Sequence, residues 1–580
     1  MTSMTRTRRP LAAAIALLCA CALAWPAAAQ VPDTLPTAAG VLPPSVSREA
    51  AARYNAPAAL RVSTPTTIES GRVVDGDVAS LEAPLTIAGV VRGNVTAINA
   101  DVTLRAGARV DGAILVVGGV VAGLEGARVG GEVRAYQAAL RFTREGESIV
   151  IDEPSAVEPL LSWMHFRDRQ EAENGLRVRN YATYNRVEGL PIYGGPFITR
   201  RVPGGRVTAE LFGVIRSADN FAWTSENIGH RATLEARSDG QVQLFAGGRL
   251  QDVVDAIESW QISNSEAALG SFLLHRDMRD WYSRLGGTMY VGVADARGAS
   301  VTASLSDERW ASRRERDPWT LFRDTQQWRP NPTIDDGRFH IFRLTGTLDT
   351  RNDPVNPRVG WYVLAELEHG TGEITSFGAR SWISPTDGPL VPPRADSYRR
   401  GFLDLRRYNR VSPETQLNGR VVLAGWLGGD PLPIQRQLSL GGIGTLPGYD
   451  SREQTPGEDK LSCHGVVAAP GKPGECDRVA LAQLEYRIDL GLERFRRNVV
   501  PIWYSEAAVV VFVDAGRGWR VDDRRDIGLG VRGGRMPPLN TFQSDVGAGV
   551  DLSLFGVYVA KAVSVKDEPL NVFVRLKHRF

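Results

Sequence analysis

Apolar and polar positions alternate along Leu570-Asn571-Val572-Phe573-Val574-Arg575-Leu576-Lys577-His578-Arg579-Phe580. Leu570, Val572, Val574, Leu576 and Phe580 share one parity. Asn571, Arg575, Lys577 and Arg579 share the other, with Phe573 the exception. A period of two predicts a strand with an apolar face and a cationic face. A soluble sandwich turns the apolar face inward; a membrane barrel turns it to lipid and its charges to a wet lumen. Ala482–Leu490 and Asp545–Leu554 alternate in the same way. Their lengths fit the ~9–11 residues of a tilted membrane strand and exceed the ~5–6 of an average soluble one. Arg206–Val214, Arg231–Arg237, Gln241–Leu250, Gly287–Val293, Phe339–Leu348 and Gly360–Leu367 also read as strands. Ser238-Asp239-Gly240 supplies a hairpin turn between two of them. Asp252–Ser283, with Arg276, Asp277, Arg279 and Asp280, has helical spacing and predicts an insertion between strands. Residues 178–580 then hold about sixteen strands at roughly 25 residues per strand and connection, an even number.

A different pattern fills residues 67–145. Val74-Asp75-Gly76-Asp77-Val78 recurs as Val91-Arg92-Gly93-Asn94-Val95, Val110-Asp111-Gly112-Ala113-Ile114 and Val129-Gly130-Gly131-Glu132-Val133. Short valine strands broken by glycine at a near-constant period predict a parallel β-solenoid, whose rungs bury their valines by stacking. A small two-sheet β-domain is the alternative. Residues 30–66, rich in Pro, Ala, Ser and Thr, read as a flexible linker. Residues 146–177 read as a helical linker, with Leu160, Leu161, Met164 and Phe166 as a partial apolar stripe.

Composition adds a compartment. Residues 1–29 carry Arg6, Arg8 and Arg9, an apolar run and Ala27-Ala28-Ala29, the layout of a secretory signal. No other stretch reaches the ~18 apolar residues of a spanning helix, so any membrane crossing is expected through a barrel. With 68 basic and 66 acidic residues, the charge balance gives no reason to propose nucleic acid. Beyond the signal, Cys463 and Cys476 remain, in a Gly/Pro-rich stretch. They read as a loop disulfide, with a metal pair as the weaker alternative because a fourth ligand beside His464 is not evident.

Four stretches resemble the outer-membrane superfamily of barrel-assembly factors and two-partner secretion transporters, the BamA and TamA kind. Tyr184–Leu190 resembles its first barrel strand. Leu438–Tyr449 resembles the start of its long sixth loop, which folds back into the lumen; Leu446, Pro447, Gly448 and Tyr449 stand at the loop motif. Leu481–Leu490 resembles the next strand, and Phe512-Val513-Asp514-Ala515-Gly516 the Phe-x-Asp-x-Gly strand after it. The resemblance implies that a loop arginine meets acids on the wall. Here that position is Pro447, while Glu485 and Asp514 both have lumen-facing parity. Arg452 is the expected replacement cation. The family's periplasmic POTRA domains are not evident, and the solenoid, which resembles the bactofilin β-helix, stands in their place. Phe580, an aromatic end to the last strand, matches the assembly signal of such barrels.

No catalytic constellation emerges. Gly528-Leu529-Gly530-Val531-Arg532-Gly533 fits Gly-x-Gly-x-x-Gly, but Pro537-Pro538 follows where a helix is needed, so it reads as a barrel loop. Seven histidines are scattered, and neither His-Glu-x-x-His nor Gly-x-Ser-x-Gly occurs. Trp503, Tyr504 and Trp519 read as interfacial aromatics. The expectation is therefore an all-β chain: a transmembrane antiparallel barrel of about sixteen strands preceded by a short parallel β-helix, with no cofactor, metal or catalytic residue. Expected partners are outer-membrane lipid, the barrel-assembly machinery during biogenesis, and a protein or lipid cargo. A periplasmic partner or self-association through the solenoid is a further expectation. The alternative function is an anchor that presents the solenoid.

Overall fold

The computed structural model describes residues 42–580 apart from 152–173, 379–392, 450–475, 491–506 and 522–535 and a few single positions and short runs. The Gly528–Gly533 motif, Trp503, Tyr504, Arg452, Cys463 and most of the expected linker helix at 154–176 lie outside the described residues.

The solenoid is a parallel β-helix with three faces. Leu60–Val62, Val78–Leu81, Val95–Ile98, Ile114–Val117 and Val133–Tyr136 stack on one face. Four strands stack on each of the other two. The repeat has a steric cause. A Cβ on Gly93 would lie 2.4 Å from the backbone carbon of Gly76, and one on Gly112 2.6 Å from the Gly93 carbonyl oxygen. The residue after the glycine ties the rungs together. Asp77 accepts the Asn94 N–H at 2.7 Å, and Asn94 accepts the Ala113 N–H at 2.9 Å. Val78, Val95, Ala97, Ile114 and Val116 point into the helix. Ala79, Leu81, Ile98, Leu115 and Val117 point out, under helix α1 (Pro44–Asn55) and the hairpin Phe142–Glu145 with Ser148–Ile151. Both faces of these strands are covered, which is why they read as apolar runs instead of alternating. Thus part of the stretch read as linker is α1 and the first solenoid strand, and the hairpin occupies the start of the stretch read as helical. Arg134 and Arg53 reach Glu49 on α1 at 2.6 and 2.7 Å, and the Arg134 hydrogen bond holds that carboxyl below its ordinary range. Replacing Gly112 by valine is expected to lower solenoid stability by about 1–3 kcal/mol through overpacking, read as a lower urea midpoint in far-UV circular dichroism.

The second sheet has sixteen antiparallel strands joined in chain order. They are numbered here β1 (Asn174–Arg179) to β16 (Leu570–Leu576). Four stand near the middle: β6 (Trp281–Asp295), β9 (Gly360–Ser376), β10 (Arg394–Ser412) and β11 (Thr415–Gly429). Four precede the end: β12 (Arg478–Asp489), β13 (Ala508–Trp519), β14 (Gln543–Asp551) and β15 (Phe555–Ala562). The sheet curls around its own loops, since the segment 434–449 touches Tyr282 on β6, Glu368 on β9, Gln483 on β12, Asp545 on β14 and Asn571 on β16. The outer face is apolar. Leu234, Leu244, Met289, Leu305, Leu367, Val557 and Val572 are among its exposed side chains. The inner face is charged and hydrogen-bonded, as in Arg284–Glu308, Arg406–Asp404 and Arg487–Asp551. Apolar outside and polar inside is the arrangement of a membrane barrel. No helix among the described residues is long and apolar enough to cross a membrane.

The predicted strands are present, most of them longer, although β14 ends at Asp551 and β16 at Leu576, and two expectations change. Tyr184–Leu190 is not the first strand; it is the turn between β1 and the second strand (Pro191–Val202), with Gly189 at φ 64°. Nor is Asp252–Ser283 helical throughout. The fifth strand runs Val242–Ala256, β6 starts at Trp281, and only α2 (Asn264–Leu274) between them is helical. At one end of the barrel, where tight turns join the strands, the solenoid docks. Arg410 donates to the Asn99 carbonyl at 2.6 Å, and Arg358 and Arg410 lie 3.5 and 3.3 Å from Glu82.

Candidate functional site in the barrel lumen

The long loops lie at the other end, and two of them descend into the lumen. The first spans 257–280 and contains α2. Ser263 caps α2 by accepting the Glu266 N–H. Trp260 accepts from Arg420 of β11 at 3.0 Å through its carbonyl. The second descending segment is 434–449. Arg436 donates to Glu368 at 2.7 Å and to the Tyr282 hydroxyl at 3.0 Å, and lies 4.3 Å from the centre of the Trp310 ring. Glu368 also receives Arg343 and the Tyr398 hydroxyl. The two segments touch: Gln261 donates to the Ser439 carbonyl at 3.0 Å, and a Cβ on Gly444 would lie 2.3 Å from the Gln261 carbonyl oxygen. Together they form a plug.

The loop motif sits on the wall. Leu446 is fully buried. The Pro447 carbonyl accepts from Asn571 of β16 at 3.1 Å. Gly448 donates its N–H to Asp545 at 2.7 Å, and a Cβ there would lie 2.5 Å from the Asp545 Cβ, so only glycine fits. The Tyr449 hydroxyl reaches Gln543 at 3.1 Å. The wall residues face the same space. Glu485 accepts from Asn418 at 3.0 Å. Phe512 packs with Tyr558 and Phe573, which explains why Phe573 breaks the polar parity of the last strand. Gly516 leaves room for Leu440, whose Cδ1 would be 3.4 Å from an added Cβ.

Asp514, fully buried, pairs with Arg579. Arg579 also stacks on Phe512, 3.5 Å from the ring centre. The cation brought to the wall acid is therefore Arg579, from beyond the end of β16; Arg452 lies outside the described residues. Phe580 differs from its expected place as well. Instead of closing a lipid-facing strand, its carbonyl accepts the Tyr408 hydroxyl at 2.9 Å inside the barrel. Trp519, read as an interfacial aromatic, is buried against Ala480. Cys476 is disulfide-bonded, and its backbone pairs both ways with Leu438 at the start of the descending segment.

Several lumen residues carry no sequence motif. Arg575 holds Glu266 of α2 at 2.6 Å and the Ile443 carbonyl at 3.0 Å. Glu266 also accepts the Leu576 N–H at 3.2 Å. Asn571, Arg575 and Arg579, spaced by four, thus attach the inner side of β16 and the residues after it to both plug segments and the wall. Arg186, fully buried in the β1–β2 turn, pairs with Asp277 and Asp280. The polar parity of 570–576 was the one available signal for Asn571 and Arg575.

Among the described residues, no backbone ladder joins β1 to β16. Among the described residues the strands shorten towards this seam: β10 has 19, while β14, β15, β16 and β1 have 9, 8, 7 and 6.

Fold and site define a class: a sixteen-stranded transmembrane β-barrel with an inward-folded plug, a seam without a ladder among the described residues and an N-terminal parallel β-helix. No protein-family model and no curated protein matches the chain. Among solved structures it is similar to BamA from Haemophilus ducreyi lacking POTRA domains 1–3, at 13% identity and TM-score 0.39 over 75% of this chain and 80% of that one. It is also similar to CdiB from Escherichia coli, at 10% identity and TM-score 0.31 over 76% and 67% of the two chains. For CdiB from Acinetobacter baumannii the values are 10% identity, TM-score 0.28 and 70% and 59%.

Proposed function

We propose that this chain is an outer-membrane barrel that inserts or translocates a protein or lipid cargo, with its solenoid on the periplasmic side. It acts by changes of conformation and performs no covalent chemistry. The observation that carries this reading is the seam, across which no ladder joins β1 to β16 among the described residues. Each unmet backbone polar group costs several kcal/mol in lipid, so a wall is expected to close its edges. An edge left unpaired is a template for another strand or an exit for another molecule. On its other edge β16 pairs with β15, and it is also held from within by side-chain bonds to the plug, which can exchange without unzipping the rest of the wall.

A second reading is supported by the solenoid. Its ion-paired attachment to the barrel turns through Glu82 suits an anchor that presents a periplasmic scaffold. Quantitative proteomics and lipid analysis of purified outer membranes, with and without the protein, separate the two. Selective depletion of one exported protein or lipid is expected. An unchanged inventory would reject transport and leave the anchor.

A further inference from the structure

Below the plug, on the solenoid side, lies a chamber of about 520 Å³. Its lining carries six arginines against four carboxylates. Asp404 is shared by Arg406 at 2.7 Å and Arg420 at 2.8 Å. Glu366 is shared by Arg343 at 3.4 Å and Arg400 at 3.7 Å. Arg400 is only 14% exposed, yet its Nε finds no hydrogen-bond partner among the described residues. Arg579, another residue lining the chamber, pairs Nη2 with Asp514 but leaves Nε and Nη1 without a partner among the described residues. Next to these cations Trp260, Leu364 and Phe402 give the same chamber an apolar surface, with Trp260 and Phe402 in edge contact at 6.1 Å.

We propose that this chamber binds a phosphate group through Arg400, with Arg406 contributing. A planar guanidinium offers paired donors that match phosphate oxygens, and such charge-assisted bonds are strongest away from bulk water. A volume of this size accommodates a headgroup or a small ligand. The group has two sources, a free phosphate or the headgroup of an anionic lipid. The apolar surface beside Arg400 gives an acyl chain a place that free phosphate does not use. Ordinary lumen-solvating arginines would be spread along the wall and paired singly; here acids are shared and arginines outnumber them around one chamber. The assignment rests on the proposed outer-membrane transport role only for its biological use. Binding is measured on the purified chain and transport on membranes, so each fails separately.

The test is native mass spectrometry of the full-length protein in detergent, with dihexanoyl phosphatidylglycerol and inorganic phosphate as separate probes. Arg400→Gln is expected to weaken binding about tenfold, the loss of one charge-assisted pair. Arg249→Gln, at an exposed arginine in the neighbouring part of the lumen, is expected to leave it unchanged. Heat-modifiable gel mobility checks that each variant is folded. If Arg400→Gln does not fold, Arg406→Gln serves, since Asp404 keeps Arg420. Arginine-dependent binding of the lipid that phosphate does not displace identifies the headgroup; displacement by phosphate identifies the free anion. Binding of neither probe, or equal loss in the Arg249 control, overturns the proposal.

Discussion

Replacing Arg579 by alanine is expected to destabilise the barrel by about 3–5 kcal/mol, the cost of leaving a buried charge without its partner. Asp514 and Arg579 are both shielded from solvent, and the Asp545 carboxylate stands on the adjacent strand, opposite Asp514. Without the guanidinium, the two facing carboxyl groups lose their cation in a space that admits little water. The Phe512 ring also loses the cation stacked on it. The readout is the temperature at which the folded gel mobility is lost, or the rate of cleavage by added protease. Combining Arg579→Ala with Asp514→Asn removes both charges, and most of the loss should return; in a double-mutant cycle the coupling is then large. Arg452→Ala, by contrast, should have a small effect. If Arg579→Ala behaves like wild type while Arg452→Ala does not, the cation for Asp514 is Arg452 after all.

This ion pair also shows where sequence reasoning stops. Period two places Leu570, Val572 and Val574 outside and Asn571 and Arg575 inside, and the structure agrees residue by residue. The same rule extended to Phe580 fails. It assumes one straight strand, and no glycine or proline after Leu576 announces that the chain turns inward. A related failure explains Asp252–Ser283. Val253 packs with Tyr193 and Phe212, while the next residue, Val254, packs with Val187 and Trp281. Where apolar side chains cover both faces of a strand, alternation disappears and a helical spacing can be read into what remains. The solenoid was more legible because its glycine period has a local steric cause. Its α1 was not: a helix that lies across a sheet needs only a few small residues, Ala50 and Ala51 with Val46 and Tyr54, inside a stretch of low apolar content. The plug contacts were invisible for a different reason. Glu368–Arg436 and Glu266–Arg575 join positions far apart in sequence, and a single charged residue on a strand looks the same whether water or an arginine meets it.

Glu368→Ala is therefore expected to have the largest effect on the pore itself. One carboxylate holds three groups: Arg436 on the plug, Arg343 on the wall and the Tyr398 hydroxyl. Its removal leaves two guanidiniums in mutual repulsion at the point where segment 434–449 enters the lumen. Among the described residues Arg436 then keeps hydrogen bonds to the Tyr282 hydroxyl and the Gln435 carbonyl and its contact with the Trp310 face. Local loss of about 3–5 kcal/mol would shift the plug from almost wholly seated to frequently released. The wall need not unfold, because its ladder bonds are untouched. In planar bilayers the variant should show long, large openings that the wild type lacks, and cells carrying it should admit large antibiotics that the intact outer membrane excludes. Arg436→Ala should open the pore less, since Glu368 then retains Arg343 and Tyr398. A closed Glu368→Ala pore with an unchanged melting temperature would mean that the plug is held elsewhere, with Glu266–Arg575 the next pair to break.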